Sequence, residues 1–157
     1  MVATHFYQEE DQIEFMVFED DLNALFLPSE ISISYGTAPS VTSYPAGGDD
    51  QFAFALEYDY RDIKLFIYDS EAELVDDFTI ADPEEDVKQP NVATLASENL
   101  VVAYKKSEDE DHIDVFKIFY PGNSSFSDMV LVSSDAQYSA QPYVAPLTDG
   151  GFAYASL

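Results

Sequence analysis

Apolar residues in this chain fall in short runs that alternate with polar positions and end at acidic or turn-forming residues. Ile63-Lys-Leu-Phe-Ile-Tyr68 and Asp114-Val-Phe-Lys-Ile-Phe119 are typical, since both are rich in β-branched and aromatic side chains. No stretch sustains the i, i+3, i+4 apolar spacing of an amphipathic helix. The pattern therefore predicts an all-β chain.

These runs predict 13 strands, of which the closing segment 141–157 contributes two. The third strand is a loose region that joins residues 25–27 to residues 31–34. The predicted strands before residue 141 span 2–7, 13–18, 25–34, 41–44, 52–56, 63–68, 78–80, 92–95, 100–104, 113–119 and 129–132.

The sequence pattern of the closing segment occurs three times along the chain. Residues 141–155 read as a strand, an Asp-Gly-Gly turn at Asp149, Gly150 and Gly151, and a second strand. Segment 89–103 matches it position for position, although the Asp-Gly-Gly turn is lost at 96–99, and segment 38–55 matches it with a longer turn. This recurrence indicates an internal repeat.

The spacing of the repeat is close to 50 residues. Pro39, Pro90 and Pro142 are 51 and 52 residues apart, and each is expected to open a strand, where a missing N–H is tolerated. Ile13, Ile63 and Ile113 are 50 residues apart. We predict one repeat domain, 1–157, with approximate repeats 1–38 (lacking its first strand), 39–89, 90–141 and 142–157 (partial).

Four short strands per unit, with no helix between them, are typical of β-propellers. The predicted fold is therefore propeller-like, with blades of four-stranded antiparallel sheets in about three repeats of about 50 residues. A β-sandwich or a β-solenoid built from the same strands is the alternative.

The repeat also resembles a known kind of unit. Gln-x-x-Pro-x-Val-x-x-Leu-x-Asp-Gly-Gly-Phe units occur in tandem β-propeller-type repeats of large bacterial and protist surface or secreted proteins. Here the motif is carried by Gln141, Pro142, Val144, Leu147, Asp149, Gly150, Gly151 and Phe152, and the strands 63–68 and 114–119 resemble its second half. The resemblance implies an extracellular structural or adhesive module and brings no catalytic residues.

The net charge of the chain excludes some classes of binding partner. It has 31 Asp and Glu against 6 Lys and Arg, a formal net charge of −25. Such a surface repels nucleic acid and anionic membranes, so neither is expected as a partner. No apolar run is long enough for membrane insertion, and no signal peptide precedes the first strand. Either the chain is cytosolic or it is a mature or partial chain. With the resemblance, we expect the latter, at the cell surface or outside the cell.

The acidic loops raise the question of calcium as a cofactor. Candidate ligands are Asp59, Asp62, Glu108, Asp109 and Asp111, because hard cations prefer carboxylate oxygens. None of the loops has the Asp-x-Asp-x-Asp-Gly spacing that wraps one ion, and solvated hairpin tips explain the acidity equally well. Calcium therefore stays an open alternative.

Other site chemistry is sparse. Asn123-Ser-Ser125 is a glycosylation sequon in a turn, which makes Asn123 a candidate glycoprotein site. His5 and His112 lack companions for a metal site. The chain has no cysteine, no Gly-x-Ser-x-Gly and no phosphate loop. We therefore predict that the protein is not an enzyme.

Three blades cannot close a ring, and open sheet edges pair with other strands. We therefore predict a structural or adhesive protein that self-associates through open blade edges into a filament or a closed oligomer. The open edges are equally expected if the chain is a fragment of a longer tandem array, in which neighbouring repeats pair with them. The candidate interface residues are Val2, Phe6, Phe152 and Tyr154. The alternative is a lectin-like module that binds glycans or proteins through tyrosines and aspartates on its loops.

Overall fold

The computed structural model of the chain describes residues 2–7, 12–17, 29–32, 39–46, 49–58, 62–81, 85–108, 111–133 and 141–156. Within these ranges the regular structure is β-strand apart from one turn of 3-10 helix, Pro121–Asn123. No helix among the described residues is long and apolar enough to cross a membrane.

The strands form antiparallel sheets in chain order, so the predicted all-β class is confirmed. The first sheet contains β1 (Val2–Tyr7), β2 (Gln12–Val17) and β3 (Ser29–Ser32). The second sheet contains β4 (Ser40–Ala46), β5 (Asp49–Tyr58), β6 (Asp62–Asp69) and β7 (Leu74–Thr79). In both, consecutive strands are neighbours. The predicted strand segment 25–27 lies outside the described residues.

The third sheet has five strands: β8 (Asp86–Thr94), β9 (Leu100–Glu108), β10 (Asp111–Tyr120), β11 (Ser125–Phe126) and β12 (Val130–Ser133). The short strands β11 and β12 both pair with β10 and share its outer edge. The terminal hairpin consists of β13 (Tyr143–Pro146) and β14 (Phe152–Ala155). Strand β11 is the element that the sequence pattern did not predict.

The main core lies between the second and third sheets. Alternate residues of β9, namely Leu100, Val102 and Tyr104, face it and are fully buried. The second sheet is buried on its other face too, where Phe52 stacks on Tyr68 with ring centroids 5.6 Å apart. Central strands that are buried on both faces explain the near-continuous apolar runs of the sequence.

Pro90 does not open its strand as predicted. Strand β8 begins at Asp86, and Pro90 lies inside it at a bulge between Lys88 and Asn91. A bulge tolerates proline because the ladder is interrupted there. Gln89 adopts a left-handed φ of 55°, and its amide donates to Glu57 Oε1 of the second sheet at 2.6 Å. Pro39 and Pro142 directly precede β4 and β13, as expected.

Two hairpin turns share one geometry although their sequences differ. In the terminal hairpin, Gly150 N donates to Leu147 O and has a φ of 95°. In the β8–β9 turn, Glu98 N donates to Leu95 O with a φ of 63°. The turn of 96–99 therefore keeps its backbone path without the Asp-Gly-Gly sequence. Glu98 occupies the left-handed position that glycine takes in the hairpin.

Candidate interaction site

The first strands of successive sheets are joined by side chains that bond to the next strand's backbone. Ser40 Oγ on β4 accepts a hydrogen bond from Val92 N on β8 at 3.0 Å. Asn91 Oδ1 on β8 accepts one from Val144 N on β13 at 2.9 Å. Ser40 and Asn91 stand at the same place, after proline and before valine. The same contact therefore occurs twice along the fold.

We call this line of hydrogen bonds between the first strands of successive sheets the seam, and neighbouring contacts extend it. The hydroxyls of Thr42 and Thr94 lie 3.2 Å apart between β4 and β8. Gln141 Nε2 donates to the carbonyl oxygen of Pro90 at 3.2 Å. These bonds satisfy polar groups that flank the sheets at their first strands, and they fix how each sheet sits on the one before it.

The terminal hairpin covers the far side of the third sheet. Ala93, Leu95 and Val101 form a small buried cluster there, against which Val144 and Phe152 pack. Phe152 meets Phe116 edge to face with ring centroids 5.0 Å apart. The favourable geometry of this aromatic pair adds to the burial that holds the hairpin in place.

A buried polar group lies beside this apolar contact. Lys105 on β9 and Asp114 on β10 are directly opposite in the register, and only 3% and 0% of their surfaces are exposed. Burial lowers the pKa of Lys105, while the Asp114 charge opposes that shift and Lys88 adds to it. The Asp114 charge offsets part of the cost of burying Lys105, although the salt bridges of the described residues do not include this pair.

Tyr154 brings the hairpin to this pair. Burial and, to a smaller extent, the nearby Asp114 carboxylate together raise the pKa of its hydroxyl to about 12, while Ser156 opposes the shift. The contact surface between the hairpin and the third sheet, here called the hairpin seat, therefore combines an apolar contact at Phe152 with the buried hydroxyl of Tyr154. Both residues were predicted as interface residues from the sequence.

The hairpin leaves one backbone edge open. Among the described residues, β14 pairs only with β13. Leu147 N donates to Gly151 O, so the hydrogen-bonded pairs that follow are Ala145 with Ala153 and Tyr143 with Ala155. The amides of Phe152 and Tyr154 consequently point away from β13. In the third sheet the corresponding edge of β9 is occupied by β10.

The outer face of the hairpin is exposed and apolar. Tyr143 is 55% exposed and Leu147 45%, and Ala145, Ala153 and Ala155 are exposed as well. None of residues 143–147 is charged, although the chain carries 31 acidic residues. An uncharged exposed face on so acidic a chain is a candidate contact surface.

The predicted calcium ligands are not assembled by the described residues, in which no group of three His, Cys, Asp or Glu side chains is placed to hold a metal ion. Asp59 and Asp109 lie outside the described residues. Glu108 and Asp111 pair across the ends of β9 and β10, where the backbone alone is described. Asp62 begins β6, and its Oδ1 is buried without a hydrogen-bond partner.

The remaining predicted residues lie apart from the hairpin seat. Asn123 is exposed in the 3-10 turn, and the Ser125 hydroxyl donates to its Oδ1 at 2.8 Å. Val2 and Phe6 belong to β1, and their side chains lie outside the described residues. Asp149, Gly150 and Gly151 form the hairpin turn, where Asp149 Oδ1 accepts from Gly151 N at 3.2 Å.

Sequence reasoning missed the residues that build the seam and the polar seat. Ser40 and Asn91 stand in Pro-x-Val units, and the recurrence of polar residues at x was the available signal. Lys105 and Asp114 gave no signal, because only the register shows that they face each other. No protein-family model matches this chain, and none of the curated proteins is significantly similar to it.

Proposed function

We propose that this chain is a non-enzymatic structural or adhesive module of the cell surface or extracellular space that self-associates through open sheet edges. The observation that carries the proposal is the open edge of β14, which pairs only with β13 among the described residues. The outward amides of Phe152 and Tyr154 offer a template for another strand. A strand added there by a second copy would lead to a filament or a closed oligomer.

The same proposal treats the sheets as blades of a propeller-type array. Its support is the order of packing, in which the second sheet lies on the third and the terminal hairpin lies on the third sheet's far side. First strands lie beside first strands at each step, as the bonds from Ser40 and Asn91 attest. A two-sheet sandwich accounts for the central pair of sheets but gives the hairpin no equivalent position.

Charge sets the conditions for assembly. A formal charge of −25 on each copy opposes association at low ionic strength. Salt screens that repulsion, since the Debye length falls from about 30 Å at 0.01 M to about 3 Å at 1 M. Calcium, if the acidic loops bind it, would act at lower concentration through the carboxylates.

Light scattering coupled to size exclusion tests the proposal. The unaltered chain is measured at low salt, at high salt, and with calcium or a chelator. Ser156→Pro removes the outward amide that follows β14, and Ser156→Ala is its matched control because it keeps that amide. We expect assembly by the unaltered chain and by Ser156→Ala, and weaker assembly by Ser156→Pro. A strict monomer under every condition contradicts the proposal.

A lectin-like module is the second candidate. It is favoured by exposed aromatic rings, since Tyr143 is 55% exposed and Tyr120 is 37% exposed, and such rings stack on sugars. A glycan array separates the two functions. Binding that survives chelation and is lost in Tyr143→Ala or Tyr120→Ala supports the lectin, and an array without signal removes it.

A further inference from the structure

We infer that the exposed face of the terminal hairpin docks on strand β4 of a second copy, so that Ala145 meets Ser43. This inference rests on the proposed self-association and adds a contact between two sheet faces to the strand addition at the β14 edge. Its basis is a contact that the fold already makes twice, between the second and third sheets and between the third sheet and the hairpin.

The first step is the equivalence of three Pro-x-Val units. Ser40 and Asn91 hold the amides of Val92 and Val144 respectively, each on the next first strand. Tyr143 follows Pro142 and precedes Val144, so it stands where Ser40 and Asn91 stand. A third contact of the same kind would therefore use Tyr143 and the face of β13 that it shares with Ala145.

The second step is burial. Tyr44 and Leu95 lie on the corresponding faces of β4 and β8, and they are 1% and 6% exposed because the next sheet covers them. Leu147, two residues beyond Ala145, is 45% exposed. The face of β13 that continues to Leu147 is therefore exposed, whereas the corresponding faces of β4 and β8 are buried.

The third step is the complementary surface. Val92, whose amide donates to Ser40 Oγ, is 5% exposed. Its counterpart in the first Pro-x-Val unit is Val41, which is only half-buried, and Ser43 on the same face of β4 is exposed. The other face of β4 is already occupied by the third sheet. On β5 and β6 this outer face of the second sheet is buried, and Val41 packs against the buried cluster. The face is therefore open only along β4, at Ser43, in the position that β8 and β13 use for docking.

The register of the contact follows from the pair that is already made. Thr42 on β4 meets Thr94 on β8. The hairpin counterpart of Thr42 is Ala145, two residues beyond Tyr143, and the β4 counterpart of Thr94 is Ser43, two residues beyond Val41. Ala145 of one copy is therefore placed against Ser43 of the next.

Because two different surfaces meet, the contact is heterologous. Each copy has one hairpin face and one β4 face, so the contact repeats head to tail and produces a ring or a filament. An isologous dimer, in which the same surface meets itself, is not expected. This distinction makes the contact testable by mixing variants.

The test uses two full-length variants, Ala145→Glu and Ser43→Glu, each of which places a charge on one surface. Both sites are exposed, so both variants should keep the melting temperature and circular dichroism of the unaltered chain. We expect each variant alone to associate at least tenfold more weakly by light scattering. An equimolar mixture should form a dimer, because each variant retains the surface that the other has lost. Ala96→Glu adds the same charge in the exposed β8–β9 turn and should assemble like the unaltered chain.

Three results overturn the inference. The first is assembly of both variants at the affinity of the unaltered chain. The second is a mixture that stays monomeric although each variant is folded. The third is assembly that Ala145→Glu and Ser43→Glu leave intact but Ser156→Pro abolishes, which contradicts the face contact and leaves the proposed function standing. A chain that never assembles contradicts both.

Discussion

The substitution Asp114→Asn is the sharpest test of the two buried charges that lie under the terminal hairpin. Asp114 is fully buried and lies opposite Lys105, which is 3% exposed. Removing the carboxylate leaves the Lys105 charge buried without its compensating partner. Breaking a direct buried ion pair costs about 3–5 kcal/mol, and because no salt bridge among the described residues joins Lys105 to Asp114 we expect a smaller loss of about 1–3 kcal/mol. That is still a sizeable part of the roughly 5–15 kcal/mol that stabilises a domain.

Thermal and urea unfolding measure this loss. At about 2–4 °C per kcal/mol for a chain of this size, Asp114→Asn should lower Tm by roughly 5 °C. The control is the double variant Lys105→Met, Asp114→Leu, which replaces both charges with apolar groups. We expect it to be as stable as the unaltered chain or about 1–4 kcal/mol more stable. If Asp114→Asn costs less than about 1 kcal/mol, the two charges do not compensate each other as described.

Three further outcomes follow from the described residues. Glu98→Gly should raise the free energy of unfolding by about 1 kcal/mol, because Glu98 has a φ of 63° that glycine adopts without strain. Gly150→Ala should lower the free energy of unfolding by a similar amount, because Gly150 has a φ of 95°; the added Cβ itself would meet no neighbouring atom within 4 Å. Glu98→Gln separates charge from backbone strain and should show no such gain in urea unfolding. Burial, with a smaller effect of the Asp77 charge, raises the pKa of Tyr68 from 10.0 to about 12. Its contribution of about 3 kcal/mol is therefore complete below pH 10 and is lost as the pH rises through 12. Tyr68→Phe should flatten that part of a pH–stability curve, and an unchanged curve contradicts the assignment. Raising NaCl from about 0.01 M to about 1 M should strengthen association of the −25 chain in light scattering, and salt-independent scattering contradicts the proposed role of charge.

The alternation of apolar and polar residues was enough to predict the strands. It was not enough to predict which face of the sheet a residue lies on, because a shift of one residue in the repeat spacing moves the side chain to the other face. The 50-residue spacing of Ile63 and Ile113 suggests that they are equivalent. The register instead gives a spacing of 51, because Val41 lies opposite Phe54 and Phe54 opposite Phe66, whereas Val92 lies opposite Val102 and Val102 opposite Lys117. The counterpart of Ile63 is therefore Asp114. Ile63 and Ile113 enter the same core from opposite sheets.

The interaction site was predictable only in part. Phe152 and Tyr154 carried a signal because they repeat an apolar strand pattern next to a turn. The polar residues of the Pro-x-Val units were a signal for the seam, but the partners of Ser40 and Asn91 could not be predicted, because they lie on strands about 50 residues away in sequence. Lys105 and Asp114 read as surface charges in an acidic chain until the register places them opposite each other inside the fold.

The mass of the unaltered chain in solution tests the central claim most directly. Size exclusion with light scattering, run as a dilution series at about 0.5 M NaCl to screen the charge, gives that mass without any substitution. Self-association predicts a concentration-dependent mass above the 17.5 kDa of one copy, rising toward multiples of it. A mass that stays at 17.5 kDa across the whole series contradicts the account.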